Sequence, residues 1–307
     1  MAQAEVIKSI VKPPFASYDI VVYFGCGLFS LPFINHYVVE PFGLQMPAFT
    51  LHTDIPFASS FISTLSMLFA VYILGHMIAF TGSQLIEKAA DTFVGKTSDA
   101  VLATSGEGFG YRDPAMRNLI KARTAEAWAN ARLITGFRAM VHAPVWPLYG
   151  LIYWIGMFGF YGARVPPYFF DAVRANMKHI GFEDAVPGSG HAWFKTLEAY
   201  VTNCSPTATA RMYNYLIISG LFRSMALIFL AAIWAEWFYV ADRIVTRNVH
   251  ISLMMTKSTA WSAEFCGLAL LYTVYVFSFW SYLKFQRRYV EEAIFAFGII
   301  PFPKRSS

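Results

Sequence analysis

Charge is what this chain has least of. Only 14% of its 307 residues are Asp, Glu, Lys or Arg, about half the share with which a soluble protein covers itself against water. That deficit excludes an ordinary soluble domain, and with 56% hydrophobic residues it also excludes a disordered chain, which needs low hydrophobicity. Cysteine is nearly absent. Cys26, Cys204 and Cys266 lie too far apart for a CxxC or Cys/His ligand spacing, so neither a disulfide framework nor a zinc site is expected. No histidine stands three or four residues from His76, and no metal or other cofactor is expected. The amino-terminal segment MAQAEVIKSIVKPPFASYD lacks a short apolar core ending in a small-residue cleavage site, so a cleaved secretory signal is not expected. Long basic runs are missing too. The net charge of +5 therefore reads as a topology and anionic-headgroup signal; no nucleic acid is expected as a partner.

What the chain has instead is long charge-free windows. A helix crossing a hydrocarbon core of about 30 Å needs about 20 mostly apolar residues, and five windows reach that length. They lie between Asp19 and Glu40, Asp54 and Glu87, Arg138 and Arg164, Arg211 and Glu236, and Glu264 and Lys284, the fourth broken only by Arg223. These predict an all-α, polytopic integral membrane bundle forming a single domain over 1–307.

The distribution of lysine and arginine separates two topologies. If all five windows cross and the amino terminus is inside, 13 basic residues fall inside and 10 outside. If the third window folds back or stays buried, 20 fall inside and only Arg243, Arg247 and Lys257 outside. Pro144, Pro147, Gly150, Gly156 and Gly159 also make that window a poor straight helix. The preferred map has about four spans, near 20–39, 57–82, 213–240 and 260–283, with 139–163 as a re-entrant segment or a fifth span. It places both termini in the cytoplasm of a cell inner membrane.

Two hydrophilic segments connect the spans, 88–138 and 164–211. In the first, Asp113 before Pro114 is a good helix start, and PAMRNLIKARTAEAWANARLI reads as one helix of about 20 residues. Its basic side chains and its Leu119, Ile120, Trp128 and Leu133 fit an amphipathic cytoplasmic helix at the inner membrane surface or against the bundle. Gly106, Gly108 and Gly110 have neither a preceding strand nor a GK[ST] sequence and read as a turn. Ser189 in PGSGH likewise reads as a loop, not a nucleophile elbow.

Ionisable groups within a span are costly unless they face protein or water. At about 100° per residue, Tyr72, His76, Ser83 and Glu87 share one stripe of the second span. Arg223 falls at a depth not far from His76, so a polar cluster of His76, Ser83, Glu87 and Arg223 is the first candidate site. It reads either as polar glue between helices or as an ion path or anionic-headgroup site, since histidine titrates near neutrality. Glu264 and Tyr275 are secondary candidates on a stripe that continues through Ser278, Tyr282 and Tyr289. Beyond that span, Lys284, Arg287 and Arg288 are expected to snorkel into the inner headgroups.

With no catalytic constellation in the sequence, the leading functional reading is a non-catalytic membrane component. That class covers a channel, a transporter-like conduit, or a subunit of a homo-oligomer or larger membrane complex, with the lipid bilayer as its surroundings. A membrane enzyme acting on a lipid-linked substrate at the cytoplasmic face, with His76 as base and Arg223 binding phosphate or carboxylate, is one alternative. A membrane-anchored interaction protein is another.

Overall fold

A computed structural model describes residues 18–41, 43, 56–98, 101, 114–157, 167–179, 191–247 and 259–300. Among these residues every regular element is a helix and no strand occurs. Four of the helices described are long and apolar enough to cross a membrane. The chain is an all-α, multi-pass membrane protein, as the charge-free windows predicted.

In chain order, α1 covers Asp19–Val39. Next, α2 starts at Pro56–Gly82 and continues through wide turns at Ser83–Glu87 and Ala90–Val94. Gly95 stops it: at φ 101° it takes a conformation that side-chain-bearing residues avoid, and its N–H closes on the Ala90 carbonyl at 2.9 Å. Four short helices follow, α3 (Pro114–Asn130), α4 (Arg132–Val141), α5 (Trp146–Met157) and α6 (Pro167–His179). Then come α7 (His191–Cys204) and two long helices, α8 (Pro206–Arg247) and α9 (Thr259–Ile299).

The contacts group into two units, Met1–Ile86 with Gly220–Phe279, and Glu87–Ser219 with Trp280–Ser307. In the first, α1 and α2 approach through glycine. A Cβ placed on Gly27 would lie 2.0 Å from the Val71 carbonyl oxygen, and one on Gly75 would lie 1.7 Å from that of Tyr23. Between helices in lipid there is little hydrophobic drive, so such close backbone approach, with its dispersion contacts, is what holds them. On the other side of α1, Phe29 and Phe33 set their rings edge-on to Phe229 of α8, with centroids 5.9 and 5.8 Å away. Tyr275 and Phe279 of α9 are fully buried in parallel contact at 6.0 Å.

The second unit has a core of the kind a soluble protein builds. Phe194, Leu197 and Val201 on α7 and Val290, Ala293, Ile294 and Phe297 on α9 recur at three- and four-residue spacing and meet Val173 and Met177 of α6. Asn176 Nδ2 donates to the Phe297 carbonyl at 2.9 Å. Buried within the same unit, Arg287 Nε donates to Glu291 Oε1 at 2.6 Å.

Two expectations are corrected. The single helix read from Pro114 through Ile134 is broken at Ala131, whose φ of −146° and ψ of 53° are not helical; α4 starts again at Arg132, pinned by Thr135 Oγ1 donating to the Ala127 carbonyl at 3.0 Å. Arg287 does not snorkel: it is inward-facing, because Glu291 one turn later neutralises it there. The described part of the third window is not one straight helix, in keeping with its prolines and glycines. It breaks at His142, turns through Ala143–Val145 and resumes as α5. Twelve residues at 1.5 Å each reach about 18 Å, short of a bilayer core of about 30 Å; positions 158–163 lie outside the described residues. The described part of α3 begins at Pro114; Asp113 lies outside the described residues, as do the turns at Gly106–Gly110 and Ser189.

Candidate functional site

The first unit brings α1, α2 and α8 together around His76. Its ring lies over that of Tyr23 with centroids 3.6 Å apart and planes 28° from parallel. Tyr72, one turn back on α2, presents its ring at 4.5 Å, and its carbonyl oxygen lies 3.3 Å from His76 Nδ1. Tyr23 in turn meets Tyr18 edge-on at 5.2 Å and Tyr72 at 6.1 Å. Gly220 leaves room for this group, since a Cβ there would come within 3.0 Å of the Tyr18 hydroxyl. His76 thus sits between Tyr23 and Tyr72, with Tyr18 against Tyr23.

Arg223 belongs to the same unit. The hydrocarbon stem of its side chain runs past Gly82, where an added Cβ would meet its Cγ at 3.7 Å.

For Ser83, Glu87 and Tyr275 the described contacts are others. Ser83 donates to the Phe80 carbonyl at 2.8 Å, a bond within its own helix. Glu87 opens the second unit, where its charge is felt by Asp91. Tyr275 is a core residue against Phe279, and Ser278, Tyr282 and Tyr289 are buried as well, so that stripe of α9 faces inward. Glu264 lies on the α9 backbone, and its side chain is outside the described residues.

Several polar pairings were not read from the sequence. Tyr37 Oη donates to Glu236 Oε1 at 2.8 Å, joining α1 to α8. Tyr289 donates to Glu198 in the second unit. Tyr149 Oη and His142 Nδ1 are 2.5 Å apart, with His142 fully buried. Of these and the Arg287–Glu291 pair, only the last left a sequence signal, its spacing on one helix face; the others join residues distant along the chain or across a break.

Tyr37 also lines a cavity of about 270 Å³ between α1, α2 and α8, walled by Phe33, Leu74, Ile78, Ala231 and Ala235 among others. An apolar cavity of about 150 Å³ holds benzene, so this one has room for several carbons of a hydrocarbon chain. Alanines at 231, 232 and 235 leave the space that larger side chains would close.

Among the described residues no group of three or more His, Cys, Asp or Glu side chains is arranged to hold a metal ion. Compared with known protein families, with curated proteins and with solved structures, the chain matches none.

Proposed function

We propose that this chain is a non-catalytic component of a membrane assembly, a subunit whose outer apolar faces pack against another copy or another membrane protein. The observation that carries this reading is α2. Only 11% of its apolar window is buried within the chain. The inward strip is Val71, Gly75, Ala79, Gly82 and Ile86, while Phe61, Phe69, Met77 and Phe80 project outward.

The intramembrane polar groups support the same reading. His76 is engaged by Tyr23 and Tyr72, and Glu236 by Tyr37. Polar contacts of this kind fix the register of neighbouring helices, which is what a scaffold requires. The basic asymmetry of the sequence supports cytoplasmic termini, and a cell inner membrane is the setting that fits this reading.

The experiment is native mass spectrometry on protein extracted directly into polymer nanodiscs. A mass exceeding one chain, reduced to one chain by Met77→Trp or Phe80→Trp while the helical content is kept, is the expected result. A single-chain mass for the unsubstituted protein would sink the subunit reading.

A further inference from the structure

The amphipathic helix α4 is built inside out. At about 100° per residue, Leu133, Phe137 and Met140 fall within about 60° of one another, with Ile134 at their flank. All four are exposed, Leu133 at 90%. The opposite side carries Thr135 and His142, exposed at 3% and 0%. In water this polarity would be reversed, because each exposed large apolar side chain forfeits about 1.5–3 kcal/mol of burial.

Nor is α4 free to roll over. Thr135 Oγ1 donates to the Ala127 carbonyl at 3.0 Å, and His142 Nδ1 is 2.5 Å from Tyr149 Oη. The helix is clamped at both ends with its polar side inward. Its apolar side has to meet something of low polarity.

The flanking residues identify that surrounding. Trp128 precedes α4 and Trp146 follows it, both exposed, and tryptophan concentrates where hydrocarbon meets headgroups. Arg132 starts the helix and is exposed, as is Lys121 on α3, which suits an anionic leaflet. The position agrees: α3 is tied to the final turn of α2 by Thr124 Oγ1 donating to the Thr92 carbonyl at 3.1 Å. That turn follows Glu87, Lys88 and Asp91, where the apolar part of the span has ended.

We propose that α4 lies in the plane of the membrane, with Leu133, Phe137 and Met140 inserted at the headgroup–acyl boundary of one leaflet. The segment then acts as a lateral anchor that reads the lipid surface. This stands independently of whether the chain is a subunit.

The test uses the full chain with Cys204 and Cys266 replaced by serine, a nitroxide attached in turn to Leu133→Cys, Phe137→Cys and, as control, Ala129→Cys. Each is reconstituted in phosphatidylcholine vesicles containing phosphatidylglycerol. Collision with oxygen, which enriches in hydrocarbon, should exceed collision with a water-soluble nickel chelate at positions 133 and 137, and the order should reverse at 129. Nickel-dominated collision at 133 and 137 would overturn the proposal, because that face would be in water. An immobilised nitroxide reached by neither would overturn it too, in favour of a protein partner. Leu133→Ser/Phe137→Ser provides a second reading: it should keep the native elution profile in detergent and lower the fraction of protein that protects α4 from proteolysis in vesicles. Unchanged protection would count against insertion.

Discussion

Gly75 of α2 faces Tyr23 of α1 so closely that a single methyl group at residue 75 would stand 1.7 Å from the Tyr23 main-chain oxygen. No side-chain adjustment relieves an overlap with backbone, so Gly75→Ala must push the two helices apart. Gly27→Ala does the same against Val71. Each should destabilise the protein by about 3 kcal/mol or more, the upper range for overpacking. Gly82→Ala is the control: its new methyl meets Arg223 only at 3.7 Å, ordinary contact, and alanine favours the helix by up to about 1 kcal/mol. Thermal midpoints followed by loss of the monodisperse chromatographic peak should fall for positions 27 and 75 and hold or rise for 82. Equal losses at all three would refute the close-approach argument.

The bond from Tyr37 to Glu236 joins α1 to α8 beside the apolar cavity. Tyr37→Phe removes the donor and leaves the carboxylate short of a partner, at a cost of about 1–3 kcal/mol. Glu236→Leu should cost a similar amount. The double variant should lose less than the sum of the two, by about 1 kcal/mol, the signature of direct coupling. Strict additivity in the cycle would show that the two groups do not interact in the folded protein.

Arg287 and Glu291 are 5% and 3% exposed, with Arg288 Nη1 a further 3.5 Å from Glu291 Oε2. Breaking a buried pair leaves an uncompensated charge, so Arg287→Met should destabilise by about 3–5 kcal/mol. Replacing both, Arg287→Met with Glu291→Leu, should recover most of that, because the desolvation of two ions is removed along with their attraction. Denaturant midpoints of the three proteins measure it. A double variant as unstable as the single one would mean that the pair has a role beyond mutual neutralisation.

That pair also shows where sequence reading stops. The spans were legible because hydrocarbon imposes a length and forbids charge, and both constraints are written residue by residue. Which face of a helix turns inward is legible only when polarity decides it. On α2 it does in part: Tyr72 and His76 point to Tyr23 of α1, whereas the bond described for Ser83 is to its own backbone, so a shared stripe does not by itself assign a shared partner. On α9 the rule failed for Arg287, because a charge near a membrane edge satisfies physics equally by reaching headgroups or by pairing inward, and the choice depends on the neighbouring helices. Gly27 and Gly75 were visible as letters without meaning, since a glycine's use in a crossing depends on what backbone lies opposite. The break at Ala131 left no signal, alanine being the best helix former.

Topology is open to a direct measurement through Cys204, which is exposed at the end of α7 in the segment between the third and fourth windows. With four crossings that segment shares the cytoplasm with both termini. A fifth crossing through the third window would put it outside. Cys26 is buried and Cys266 is exposed near the start of α9, so a Cys266→Ala background leaves Cys204 as the single accessible thiol among the described residues. A membrane-impermeant maleimide should leave Cys204 unmodified in intact cells and label it after permeabilisation. Labelling of intact cells at the rate seen in broken membranes would reverse the assignment: the window with its break at His142 would then have to cross. The 12-residue α5 would need more helix beyond Met157 to do so, because at about 18 Å it covers little more than half the hydrocarbon core.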